Sequence, residues 1–182
     1  MAKVKFGFKN AYYAKITEAD GKITYGTPVK LNGAVSMSLA PAGESTEFYA
    51  DDGLYFSDNS NNGYDGTLEL ALVPDDFKTD ILGETLDTNK VLIESAIGVS
   101  HPFALLCEFT QDDGARKFAF YHCMASRPEL AATTTAETKE VSTETLNLTI
   151  RPNKDGIVKA STSAETSKET LDSWYSTVYV TD

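Results

Sequence analysis

Two apolar runs flank a short polar break near the middle of the chain: FALLCEFT at 103–110, then RKFAFYHCMA at 116–125, with QDDGA between them. Runs of this length around an Asp-Gly pair read as two antiparallel strands and a tight turn. Such a hairpin places at least one antiparallel strand pair in the core. A turn at Asp113-Gly114 pairs Phe109 with Phe118 and Cys107 with Phe120. Cys123 then lies opposite Ala104, on the other face of the ribbon from Cys107. Thiols on opposite faces cannot bond, so both cysteines are expected to be free, as in a reducing compartment.

Further strand signals surround this hairpin. Ala11–Thr17 and Lys22–Tyr25 flank EADG, a second hairpin signal. From Leu31 to Leu39 the chain alternates, with Leu31, Gly33, Val35, Met37 and Leu39 on one side, until Pro41, Ala42 and Gly43 end the pattern. Leu68, Leu70 and Leu72 share one face of Thr67–Val73, and Leu146, Leu148 and Ile150 form another. Pro152 with Asp155-Gly156 makes a turn. TTTAETKEVSTET at 133–145 is polar and β-branched, a loop or an edge strand. WYSTVYV at 174–180 reads as a terminal strand. One helix is expected at about 75–82: Pro74 starts it, Asp75 and Asp76 suit its positive end, and Gly83 stops it. Phe77, Ile81 and Leu82 would face the sheet. Residues 42–66 show no clear periodicity and read as one long loop. The expected architecture is a single mainly-β domain over 1–182: a two-sheet β-sandwich or barrel-like fold with one flanking helix.

The 182-residue chain carries a formal charge of −11, which argues against binding duplex nucleic acid by neutralising phosphates. The charge is uneven. Residues 1–30 hold six lysines, among them Lys3, Lys5 and Lys9, against Glu18 and Asp20. Residues 31–77 hold nine acids and no lysine or arginine. That is either a solvated acidic loop or one half of a contact in which the basic terminus of one copy meets the acidic segment of another. No apolar run approaches the ~20 residues of a membrane-spanning helix, and no apolar signal core follows the basic MAKVKFGFKN, so production in the cytoplasm is expected.

Chemistry is hard to find. His101 and His122 are the only histidines, and neither stands in a nucleophile motif. Together with Cys107 and Cys123 they offer zinc-binding atoms without zinc-site spacing. No phosphate-binding glycine loop is present. DNSNNGYDGTLE at 58–69 copies the order of an EF-hand calcium loop, but an aromatic, Gly-broken segment precedes it and the alternating TLELALV follows it, so no pair of helices would hold it. A looser cation site built from Asp51, Asp52, Asp58 and Asp65 is the alternative reading. It would belong to a secreted or surface β-sandwich that binds calcium or carbohydrate. Neither catalysis nor a cofactor is expected.

In order along the chain stand GFKNAYYA (7–14), ITYGTPVKLNGAVSMSL (23–39), YADDGLYF (49–56), NNGYDGTLELALVPDDF (61–77), ILGE (81–84), HPFALLCEF (101–109), FYHCMASRP (120–128) and ETLNLTIRP (144–152). This series resembles the major tail proteins, or tail tube proteins, of long-tailed non-contractile phages that infect Gram-positive bacteria. The resemblance implies a β-sandwich with a helix on its flank and no enzymatic activity. It implies a virion protein, assembled in the host cytoplasm, whose hexameric rings stack into a tube. The tape-measure protein occupies that tube before DNA passes through it without sequence-specific binding. Tail terminator and distal tail proteins would meet its ends. The same fold is similar to that of the type VI secretion tube protein. The long segment then becomes the part that reaches a neighbouring copy. Its candidate contact residues are Tyr49, Asp51, Asp52, Tyr55, Phe56, Asp58, Asn61, Asn62, Tyr64 and Asp65, with Lys3, Lys5 and Lys9 as basic counterparts. Removing Tyr49–Tyr64 is expected to leave a folded monomer that cannot polymerise.

Overall fold

The computed structural model describes residues 3–112, 114–132, 134 and 141–181. Strands dominate. They are β1 (Lys5–Ala19), β2 (Lys22–Tyr25), β3 (Val29–Lys30), β4 (Ala34–Pro41), β5 (Ser45–Ala50), β6 (Gly53–Asn59) and β7 (Tyr64–Leu70). After the helix α1 (Asp75–Phe77) and a π-helical turn (Lys78–Leu82) come β8 (Thr85–Leu86), β9 (Leu92–Ile93), β10 (Phe103–Gln111), β11 (Gly114–Ala125), β12 (Glu144–Ile150), β13 (Lys159–Ser161) and the helix α2 (Lys168–Ser173). Nine strands form one antiparallel sheet in the order β2-β1-β10-β11-β12-β7-β4, with β3 added to β1 and β13 to β11. The sheet curls into a sandwich around the main core, and β4 returns close to β1.

The alternation read from the sequence fills that core. Leu68, Leu70, Leu146, Leu148 and Ile150 all point into it, with Phe103, Leu105 and Cys107 from β10. The helix lies where expected and ends at Gly83, whose φ of 80° is the left-handed stop. Phe77, Ile81 and Leu82 are buried. Phe77 meets Tyr13 and Phe103 edge-on, at ring separations of 5.1 and 5.3 Å. Asp80 clasps the turn to β1: Lys15 lies 2.6 Å from one carboxylate oxygen and the Tyr13 hydroxyl donates to the other at 3.0 Å.

Several expectations fail, each for a local reason. The central hairpin closes with Gln111 opposite Gly114, so Cys107 faces Phe118 rather than Phe120, and Phe109 faces Arg116 rather than Phe118. A bulge between the Phe103 and Leu105 pairs then shifts the register, and Phe103 faces Cys123. One extra residue reverses the facing of everything beyond it. Cys123 therefore joins Cys107 in the main core instead of lying on the opposite face, and both remain free thiols. A bulge between Ala34 and Ser36 likewise turns Val35 outward, while Ala34, Met37 and Leu39 pack on the core. Strand β7 stops at Leu70, leaving Leu72 exposed and Val73 buried.

The C-terminus is not a strand. Ser167 caps α2 by accepting from the Thr170 amide at 3.2 Å. The helix carries Trp174, Tyr175 and Val178 across the outer face of β1, β10 and β11, over Ala14, Ala104 and Ala119. Small residues on the sheet leave room for the rings, and covering that face wins over adding an edge strand. Most of 133–145 falls outside the described residues, so its reading as loop or edge strand does too.

Burial pushes the Cys107 thiol up to about 12 from 9.0, and Cys123 higher still. Burial also raises Tyr13, Tyr175 and Tyr121, the last to about 12. The folded state thus holds protons that the unfolded chain releases first. The stability these groups contribute is complete below about pH 9 and is lost as the pH rises toward 12. Native protein at pH 8 should leave Ellman's reagent uncoloured until denaturant is added, and denaturant midpoints should fall from pH 9 upward. Prompt labelling of the native protein would contradict this placement of the thiols.

Candidate functional site

The segment expected to be one loop is a β-ribbon. Strands β4 and β7 pair down to Pro41 opposite Tyr64. The ladder then continues outward. The Ala42 amide donates to the Gly63 carbonyl, the Asn62 amide to Ala42, and the Ser60 amide to Glu44, at 2.9–3.0 Å. Beyond this neck β5 and β6 pair from Ser45–Asn59 to Ala50–Gly53. The ten residues from Ala42 to the turn extend it about 33 Å past the body, at ~3.3 Å per residue. Two glycines permit the close strand packing at its root. A Cβ on Gly66 would sit 1.9 Å from the Ser38 carbonyl oxygen, and one on Gly63 2.0 Å from that of Ile150.

The arm's turn uses Asp51 and Asp52, both left-handed at φ of 52° and 59°. Aspartate tolerates that region better than most residues, but Asn-Gly is the usual choice for such a turn. Of the arm's residues only Ala50 is even half-buried; Ser45–Tyr49, the turn residues Asp51 and Asp52, and Gly53–Asn59 are all exposed. Among them Tyr49 is 63% exposed and Tyr55 74%, beside exposed Phe48, Leu54 and Phe56. Phe48 faces Phe56 across the ribbon and meets the Tyr55 ring edge-on at 6.3 Å. An isolated two-stranded ribbon is marginal in water, and a contiguous exposed apolar surface marks an interaction site. Nothing in the described residues covers this one.

The candidate contact residues divide. Tyr49, Asp51, Asp52, Tyr55, Phe56 and Asp58 stand on the arm. Asn61 and Asn62 shape its neck, where the Asn61 side chain accepts from the Gly63 amide at 3.2 Å. Tyr64 and Asp65 belong to the body: Lys159 donates to the Tyr64 hydroxyl at 2.7 Å, and Asp65 pairs with Arg151 through both oxygens at 2.8 and 3.1 Å. A deletion through Tyr64 would therefore cut into β7. The Lys3 amide donates to both Asp112 oxygens at 2.9 and 3.1 Å. Lys9 is turned to its own chain, 3.4 Å from Glu108, and is not a free counterpart for another copy. Lys5 lies with its ammonium 5.6 Å from the Phe109 ring centre.

The calcium reading is not supported by this placement. Asp51 and Asp52 sit at the tip, Asp58 along the arm and Asp65 at the root in an ion pair. Glu69 accepts from the Ser36 and Thr143 hydroxyls, both at 2.7 Å, which holds its carboxyl below the usual range. Among the described residues no three His, Cys, Asp or Glu side chains gather as a metal-holding group.

One buried acid remains. Glu108, 5% exposed, receives hydrogen bonds from Asn10 at 3.0 Å and Tyr175 at 2.9 Å as well as the Lys9 ion pair. Tyr175 stacks on Tyr12 at 4.6 Å, and the Lys117 ammonium lies over the Tyr175 ring, 4.9 Å from its centre. The cluster fastens the C-terminal segment to the sheet. Sequence reading missed it, and missed Phe48 and Leu54 on the arm. DDG between two aromatic runs was the available hairpin signal. Neither a protein-family model nor a curated protein matches this chain.

Proposed function

We propose that this chain is a structural subunit that polymerises through its arm, and that the polymer is a phage tail tube of stacked hexameric rings. The exposed aromatic arm carries the proposal, because its apolar surface has no cover within the described chain. The serial motif resemblance supplies the ring-and-tube form. The subunit has no catalytic role in this reading. A net charge of −11 suits a conduit for DNA, since repulsion from an acidic wall prevents sticking. Tape-measure, terminator and distal tail proteins are its proposed partners.

Charge supports contact between copies. Five acids and no base lie in 44–59, against six lysines in 1–30, of which Lys9 and Lys15 already pair with Glu108 and Asp80 of their own chain. Contacts of this kind weaken as salt shortens the screening length from about 10 Å at 0.1 M to about 3 Å at 1 M. Sedimentation velocity should show large assemblies at low salt that shrink on going to 1 M sodium chloride. A single small species at every concentration and salt would refute polymerisation. Assemblies indifferent to salt would remove the electrostatic part.

A further inference from the structure

We infer that the arm of one copy is received by an open apolar mouth at the end of its neighbour's core, with the Asp51-Asp52 tip set against Lys5 and Lys159. The inference rests on the polymer reading and names the surface that reading leaves open.

The mouth follows from the sheet's topology. Strand β12 pairs with β11 only at Cys123–Ala125, whereas the earlier residues Phe118–Phe120 pair with the short β13. The two halves of the sandwich therefore diverge at this end. Between them opens a pocket of about 350 Å³ lined by Met37, Leu39, Tyr64, Phe109, Phe118 and Phe120, with Lys5, Gln111 and Lys159 as its polar lining. That volume lies near the lower limit of ordinary ligand pockets, ~300–1,000 Å³. It has room for side chains rather than for a domain face.

The rings form a continuous series of contacts, edge-on at Phe109–Phe118 and Tyr64–Phe120 and parallel at Phe118–Phe120. Phe109 meets Phe118 at 5.4 Å, Phe118 meets Phe120 at 6.4 Å, and Tyr64 meets Phe120 at 6.1 Å. Phe109, Phe118 and Tyr64 are only partly buried, so the series reaches the surface unfinished. Edge-on and offset packing against further aromatic rings is what such a surface favours. The Lys159 ammonium lies 4.7 Å from the Tyr64 ring centre, and neither lysine has a carboxylate partner among the described residues.

The arm matches this mouth in order and sign. Its tip carries two carboxylates on a two-residue turn, and Tyr49, Leu54 and Tyr55 follow directly behind. Aspartates would meet lysines at the rim while the rings behind them join the series. The arm does not fill its own mouth. It leaves the body beside Tyr64, which lines that mouth, and the hydrogen-bonded neck carries it outward with its side chains exposed. A second copy is thus the occupant whose shape and charge are both on the molecule. The contact is heterologous, arm to mouth, so repetition closes a ring or runs on as a filament.

Charge reversal tests the pairing. The arm variant D51K/D52K and the mouth variant K5E/K159E should each stay folded by circular dichroism and lose assembly in sedimentation. Mixing them restores complementary contacts in both directions, and so does combining all four substitutions in one chain; both samples should assemble again. Wild-type protein that assembles while K5E/K159E assembles equally well overturns the mouth and leaves polymerisation standing. Failure of the mixture and of the four-fold variant, with both still folded, overturns it too. Wild-type protein that stays monomeric overturns polymerisation itself. Should K5E/K159E fail to fold, the variant D51C/K5C decides. Cys107 and Cys123 are buried, so oxidation should give a ladder of cross-linked chains on a non-reducing gel. Monomer alone, from assembled protein, rejects the pairing.

Discussion

Replacing Ser45–Asn59 with Asn-Gly should leave a folded chain that no longer assembles. The neck residues Glu44 and Ser60 already face each other through hydrogen bonds at 2.9–3.1 Å, so a two-residue turn closes the shortened ribbon where the ladder is intact. The removed strands bury almost nothing in their own chain. Apolar area taken from water contributes about 25 cal/mol per Å², and an arm that takes little area contributes little to the monomer. The thermal midpoint should therefore move by no more than a few degrees. Assembly should be abolished, since interface energy concentrates in a few aromatic anchors, and the deletion removes Phe48, Tyr49, Tyr55 and Phe56 together. Unchanged assembly would show that the arm serves something else. Collapse of the fold would show that the ribbon is part of the body's stability.

The second large effect lies in the core. Phe77→Ala should cost about 3–5 kcal/mol, the usual loss for emptying a large aromatic site. Phe77 is the residue through which the helical turn reaches both β1 and β10, and none of its side chain is exposed. At ~2–4 °C per kcal/mol for a domain of this size, the midpoint should drop by roughly 6–20 °C. A drop below 2 °C would mean that Tyr13 and Phe103 close the gap without it.

What the sequence disclosed is what local chemistry decides. Pro74, the paired aspartates and Gly83 mark a helix whatever lies around it, and the structure puts the helical residues at 75–82. Alternation at Leu68–Leu70 and Leu146–Ile150 marks strands with one buried face. The arm escaped because alternation records a difference between two faces, and both faces of β5 and β6 meet solvent. Its turn falls on Asp51 and Asp52, one residue before the Asp52-Gly53 pair that carries the hairpin signal. The bulges at Ala34–Ser36 and near Phe103 left no mark in composition, yet they decide which way Val35 and Cys123 face. The C-terminal segment has strand-like residues, but Ser167 starts a helix before it, and the alanines on the sheet accept Trp174 and Tyr175. The mouth is the least legible feature. It joins residues 5, 37, 64, 109, 118 and 159, which only the folded sheet brings together.

The central claim is that this protein's purpose is to assemble with copies of itself. A negative-stain micrograph of the concentrated protein at low salt tests it most directly. The account predicts hollow tubes or stacked six-membered rings. A field of separate particles, each the size of one 19.8 kDa chain at every concentration tried, would contradict it.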